Sequence, residues 1–137
     1  MDLLPNLQRT SVLPPESYPG RFQVVGLSAD PDHFVVRWRV ESSETPPGLP
    51  GLALGNLAAE SLLMAALHGR AEGRRPELLS LKTDFFDCQL PLRGVVVEVD
   101  CICHGRGILS LEAYLYHETE KLLAKASATF TTTAITL

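Results

Sequence analysis

The chain is poor in cysteine, in positive charge and in uninterrupted apolar sequence, and each shortage removes a class of protein. Cysteines stand only at positions 88, 101 and 103. An odd, small set cannot form a disulfide framework, and free thiols in a reducing cytoplasm are the simplest expectation. Twelve Lys and Arg against 16 Asp and Glu leave a net charge of -4. That balance argues against a general nucleic-acid binder, which carries a basic face, although a local basic patch is still allowed. No apolar stretch reaches the roughly 20 residues of a membrane span. The longest, Leu52 to Leu67, is interrupted by Asn56, Glu60 and Ser61. The opening MDLLPNLQRT has neither the basic start nor the apolar centre of a signal peptide, so a cytoplasmic protein is expected. There is no Gly-X-Ser-X-Gly elbow, P-loop or dinucleotide fingerprint, which leaves serine-triad and nucleotide-dependent chemistry without support. No cofactor is implied.

What is present is enough for one domain. At 137 residues and 45% hydrophobic, the chain can fill one core and not two. A single domain over 1–137 is expected, with residues 1–20, which hold four of the ten prolines, as a loose N-terminal segment. No internal repeat is found. Residues 21–29 and 33–40 read as strands around the Asp30-Pro31-Asp32 turn. In the second strand Phe34, Val36, Trp38 and Val40 alternate with Arg37 and Arg39. Residues 41–51 form a proline-rich loop, a helix runs from about Leu52 to His68 before Gly69, and residues 69–76 read as a basic loop. Four strands follow: 78–86, 95–104, 108–117 and 122 to about 133. Their β-branched residues and period-two alternation support the reading, as where Leu109, Leu111, Ala113 and Leu115 share a face. One helix and about six strands joined by short turns make an α+β protein with an antiparallel sheet.

The helix carries the functional argument. LALGNLAAESLLMAALH (52–68) is apolar almost all the way round, so it must be buried on all sides. The sheet must therefore curl around it, or a sheet and a partner subunit must share it. Asn56 and Glu60 are the exceptions, four apart on one stripe. A carboxylate in such surroundings costs several kcal/mol unless donors surround it or it takes up a proton, and burial of a carboxyl moves its titration toward the range useful for acid-base work. Two readings stay open for Glu60. It is a catalytic carboxylate, or a structural group at the edge of a dimer interface bonded to an amide or an arginine.

GLALGNLAAESLLMAAL (51–67), LLSLKTDFF (78–86) and VVVEVDCICHGRGILSLEAYLYHETEKLLAKASATF (95–130) together resemble the hot-dog thioesterases. The resemblance is strongest to the small acyl-CoA branch that includes the phenylacetate-pathway and 4-hydroxybenzoyl-CoA enzymes. It implies a hot-dog fold, with the antiparallel sheet wrapped around one long central helix. It also implies a homodimer or dimer of dimers acting on an acyl-CoA or acyl-carrier protein thioester. Glu60 matches the family's general base or nucleophile. The backbone amide of Leu52, with the helix dipole behind it, matches the donor that polarises the thioester carbonyl. Ser80, contributed by the second subunit, matches the hydroxyl that positions water. Gly51, Asn56 and Thr45 fall on substrate-binding positions, Thr45 matching a loop amide side chain. The pattern departs at Gly51-Leu52-Ala53, where the family often has His-Gly-Gly.

Two further groups of residues bear on function. Cys101 and Cys103 are expected to share a strand face, with His104 opposite; no second ligand pair has zinc-like spacing, so no metal is expected. Arg70, Arg74, Arg75 and Arg106 are either ordinary solvated loop charge or a set from which the phosphates of CoA are met. Two other functions compete with thioester hydrolysis. A 3-hydroxyacyl thioester dehydratase would need a histidine in the loop before the carboxylate, and 41–59 contains none. A non-catalytic acyl-thioester binding protein is consistent with Gly51 in place of histidine.

Overall fold

A computed structural model describes residues 22–29, 33–40, 50–70, 74–87, 94–118 and 120–134. The elements are β1 (Phe22–Ala29), β2 (His33–Val40), α1 (Pro50–Ala65), β3 (Arg74–Phe85), β4 (Gly94–Gly105), β5 (Ile108–His117) and β6 (Leu122–Ala134). Pro50 opens α1, where its missing N–H is harmless and its fixed φ suits a helix start. The helix does not stop at its expected glycine. It widens into one π-helical turn over Ala66–Arg70.

All six strands form one sheet in the order β1-β2-β4-β5-β6-β3, with every neighbouring pair antiparallel. The chain is thus α+β, as expected. The inner face buries Phe34, Val36 and Trp38 of β2, Val95, Val97 and Val99 of β4, and Leu109, Leu111 and Leu115 of β5. On β6 the inner positions are Ala124, Ala126 and Ala128, closed by Phe130. A row of alanines lets a helix approach the sheet closely. Leu54, Leu57, Ala58, Leu62 and Met64 of α1 complete the core. Each such Leu or Val contributes about 1.5–3 kcal/mol on burial, which is what allows a helix with almost no polar face.

Two contacts fix the direction of α1. Trp38 Nε1 donates to Ser61 Oγ at 3.0 Å, and the rings of Phe34 and His68 meet at 5.5 Å between centroids. The helix therefore runs antiparallel to β2. It starts toward the Val40 end of that strand and finishes toward the His33 end.

Two expectations need correcting. The basic stretch read as a loop over 69–76 is partly strand, because β3 begins at Arg74 and Arg75, Pro76 and Glu77 pair with Thr133, Thr132 and Thr131. The proline is accommodated because β3 is an edge strand, whose outer side needs no donor. Cys101 and Cys103 do not share a face. A bulge at Ile102 sets Cys101 opposite Leu111, which is buried, and Cys103 opposite Ser110 on the outer side. An extra residue in one strand breaks the two-residue alternation.

The tight turns are specific. Arg106 and Gly107 join β4 to β5 with φ of 54° and 77°, the two left-handed residues that a type I′ hairpin requires. Between β5 and β6, Glu120 takes φ 70°, and its N–H donates to the His117 carbonyl at 2.8 Å.

Candidate active site

Glu60 lies in the third turn of α1, with 5% of its surface exposed. Its neighbours along the chain are held firmly. Ser61 is fully buried and takes the Trp38 indole hydrogen bond, so the helix is fixed in rotation one residue from the carboxylate. Leu57 and Met64 are likewise buried. Local sequence explains the placement: a helix that must bury every side carries its carboxylate into the interior with it.

Asn56 lies one turn earlier on the same stripe. Its Nδ2 is buried and has no hydrogen-bond acceptor among the described residues. Next to it, Gly55 leaves the helix surface bare, and a Cβ there would lie 3.7 Å from Cζ of Phe85. The half-exposed Phe85 ring of β3 thus covers the glycine. Side chains on a helix lean toward its N-terminus, which turns Glu60 toward Asn56 on the same stripe, while Gly55 and the Phe85 ring over it lie on the adjoining flank of the helix.

The other residues singled out from sequence are dispersed. Gly51 and Leu52 lie in the first turn of α1, where backbone N–H groups have no partner within the helix. Thr45 lies outside the described residues, as does Cys88. Ser80 is exposed on β3 opposite Thr129, on the face turned away from the helix of its own chain. Arg106 is exposed at the β4–β5 hairpin tip. Because β4 runs antiparallel to β2, that tip lies toward the end of the sheet where α1 finishes. Within one chain the structure brings together Asn56 and Glu60, with Leu52 a turn before them. It does not bring Ser80 or Arg106 to that group.

Sequence reasoning missed Thr83. A register shift between Leu78 and Ser80 puts Leu81, Thr83 and Phe85 opposite Ala128, Ala126 and Ala124, on the helix side of β3. Thr83 therefore offers a half-buried hydroxyl on that side. Only the bulge reveals it, since counting by twos from Ser80 leads to Lys82 and Asp84.

Away from α1, the outer face carries a charged cluster. The Tyr114 hydroxyl donates to Glu112 Oε1, and Lys125 Nζ lies 3.1 Å from the same oxygen. The tyrosine hydrogen bond, followed by the lysine, holds the Glu112 carboxyl below its ordinary range, while the same contacts raise the Tyr114 phenol and the Lys125 ammonium. Among the described residues no group of His, Cys, Asp and Glu is placed to hold a metal ion, and no helix is long and apolar enough to cross a membrane.

No protein-family model matches the chain, and no curated protein matches it. Solved structures do. A Pseudomonas aeruginosa thioesterase carrying a glutamine-to-alanine substitution is 18% identical at a TM-score of 0.69, over 96% of this chain and 94% of that one. A Haemophilus influenzae thioesterase is 18% identical at 0.66, over 98% and 92%. A Streptococcus mutans protein bound to acetyl CoA is 16% identical at 0.66, over 83% and 90%. At such identities the likeness establishes the fold. The chain is a hot-dog fold protein. Its neighbours in structure include thioesterases.

Proposed function

We propose that this protein is a cytoplasmic thioesterase that hydrolyses an acyl-CoA or acyl-carrier protein thioester to a free acid and a thiol. The observation that carries the reading is Glu60, a carboxylate 5% exposed in a helix that is otherwise apolar apart from Asn56 and Ser61, in a fold whose neighbours include thioesterases. The acetyl CoA bound to the Streptococcus mutans protein favours CoA over a carrier protein.

In this reading the Leu52 amide at the start of α1 donates to the thioester carbonyl oxygen and draws negative charge onto it, with the helix dipole assisting. Glu60 takes a proton from water as the water oxygen bonds to the carbonyl carbon. The C–S bond then breaks, and the departing sulfur takes up a proton. Direct attack by Glu60, giving an anhydride that water opens, reaches the same products. Asn56 and Gly51 border the acyl group, and Thr45 and Arg106 contribute to substrate binding. Ser80 acts from a second subunit.

A homodimer fits the exposed edge. β3 is a 12-residue edge strand on which Leu78, Leu79, Leu81 and Phe85 are 40–59% exposed, the kind of edge that proteins pair or cover. A non-catalytic acyl-thioester binding protein is the second reading, favoured by Gly51 where the hot-dog thioesterases that the helix resembles often have histidine.

Thiol release from a panel of acyl-CoAs, compared between wild type and Glu60→Gln, tests the proposal. The variant is expected to lose at least about a hundredfold in rate. Equal rates in the two proteins would remove Glu60 from the mechanism. No release by wild type from any substrate, with binding retained, would establish the second reading.

A further inference from the structure

Asn56 is out of keeping with its surroundings. Its buried Nδ2 has no acceptor among the described residues, although Leu54, Leu57 and Ala58 beside it are fully packed. A buried donor left unpaired lowers stability, and asparagine is a poorer helix former than its leucine and alanine neighbours. Leucine, close to it in size, would hold α1 better. Departures of this kind from the pattern of a fold concentrate at functional sites.

Its position indicates what it serves. Asn56 precedes Glu60 by one helical turn, which sets their Cβ atoms about 5–6 Å apart. On the flank beside it the helix surface is bare at Gly55, and the Phe85 ring forms an apolar wall. The carboxylate and the amide donor therefore share one stripe, and the aromatic wall lies about 100° round the helix from the amide. Nδ2 can only donate, so the group that it awaits carries an acceptor.

We propose that Asn56 is a specificity-determining residue whose Nδ2 donates to an oxygen on the acyl group. The preferred substrate is then an acyl thioester with a hydroxyl or carbonyl oxygen on its third carbon, rather than an unsubstituted chain of the same length. With Glu60 serving the thioester carbon, a donor one turn along the helix meets an oxygen three bonds farther into the acyl chain. The apolar remainder lies against Phe85. This inference rests on the thioesterase reading above.

The test compares kcat/KM for thiol release from 3-hydroxyhexanoyl-CoA and hexanoyl-CoA, in wild type and in Asn56→Leu, together with the thermal midpoint of each protein. Wild type is expected to favour the hydroxylated substrate by about tenfold or more, the worth of one well-placed hydrogen bond. In the variant that ratio falls toward one while the midpoint stays or rises. A ratio unchanged by the substitution, or a fall accompanied by a lowered midpoint, would overturn the proposal. Thiol release by wild type without preference would overturn it and leave the thioesterase reading intact. Release from neither substrate would overturn both.

Discussion

The indole N–H of Trp38 on β2 is bonded at 3.0 Å to the hydroxyl of Ser61 on α1, with both side chains buried. The serine is adjacent in sequence to Glu60, so a single hydrogen bond between sheet and helix sets the rotation of the helix that carries the carboxylate. Ser61→Ala leaves the indole donor unpaired in the core and is expected to lower stability by about 1–3 kcal/mol. Equilibrium denaturation in urea measures it. A loss under about 0.5 kcal/mol would show that the indole finds another acceptor and that the bond does not set the helix.

The Glu112 carboxyl is held low first by the Tyr114 hydroxyl and then by Lys125. A depressed folded-state value means that this group stabilises the fold above its unfolded value of about 4.3, and that the contribution is lost as pH falls through the folded value. Tyr114→Phe is therefore expected to move the Glu112 titration upward and to narrow the acid range of stability. Carbon-detected NMR titration of the glutamate carboxyl follows the shift. An unchanged titration would assign the depression to Lys125 alone.

Glu120 adopts φ 70° in the β5–β6 connection, a conformation that suits glycine and strains other residues. Glu120→Gly is expected to raise stability by about 0.5–1 kcal/mol, the relief of strain less the greater flexibility of the unfolded chain. A lowered denaturation midpoint would mean that the glutamate side chain contributes more than its backbone costs.

Leu79 is 59% exposed at the β3 bulge. In an isolated chain Leu79→Glu should change stability by no more than about 0.5 kcal/mol. If two chains meet along β3, the same change places charge in the contact and is expected to shift the protein from dimer to monomer in sedimentation velocity. A wild-type monomer, or a dimer indifferent to the substitution, would direct the search for an interface elsewhere.

The sequence was legible where a single strong pattern dominated. The helix could be placed because apolar residues surround it. β2 and β5 were bounded as found, at His33–Val40 and Ile108–His117, because their alternation is clean. It was illegible where the backbone adds a residue. Bulges beside Leu79 and at Ile102 reverse the alternation without leaving a mark in the residue types, so strict alternation puts Cys101 and Cys103 on one face and hides Thr83. The start of β3 was hidden for another reason. Arg74, Arg75 and Pro76 have no strand propensity, and they are strand because the threonines at the end of β6 pair with them. Of the candidate site, the Asn56–Glu60 stripe followed from helical spacing, whereas the unpaired amide of Asn56 depends on packing that no spacing reveals.

The strand order β1-β2-β4-β5-β6-β3 also shapes how the chain reaches this state. β1–β2 and β4–β5–β6 are joined by short turns and close locally, which is fast. β2 and β3, the strands that flank α1 in sequence, must find opposite edges of the β4–β6 meander, and contacts so distant along the chain form slowly. The helix is the strap between those two late events. On this topology Glu60 is expected to reach its buried position late in folding, with the apolar edge of β3 open until then to any other strand that arrives first.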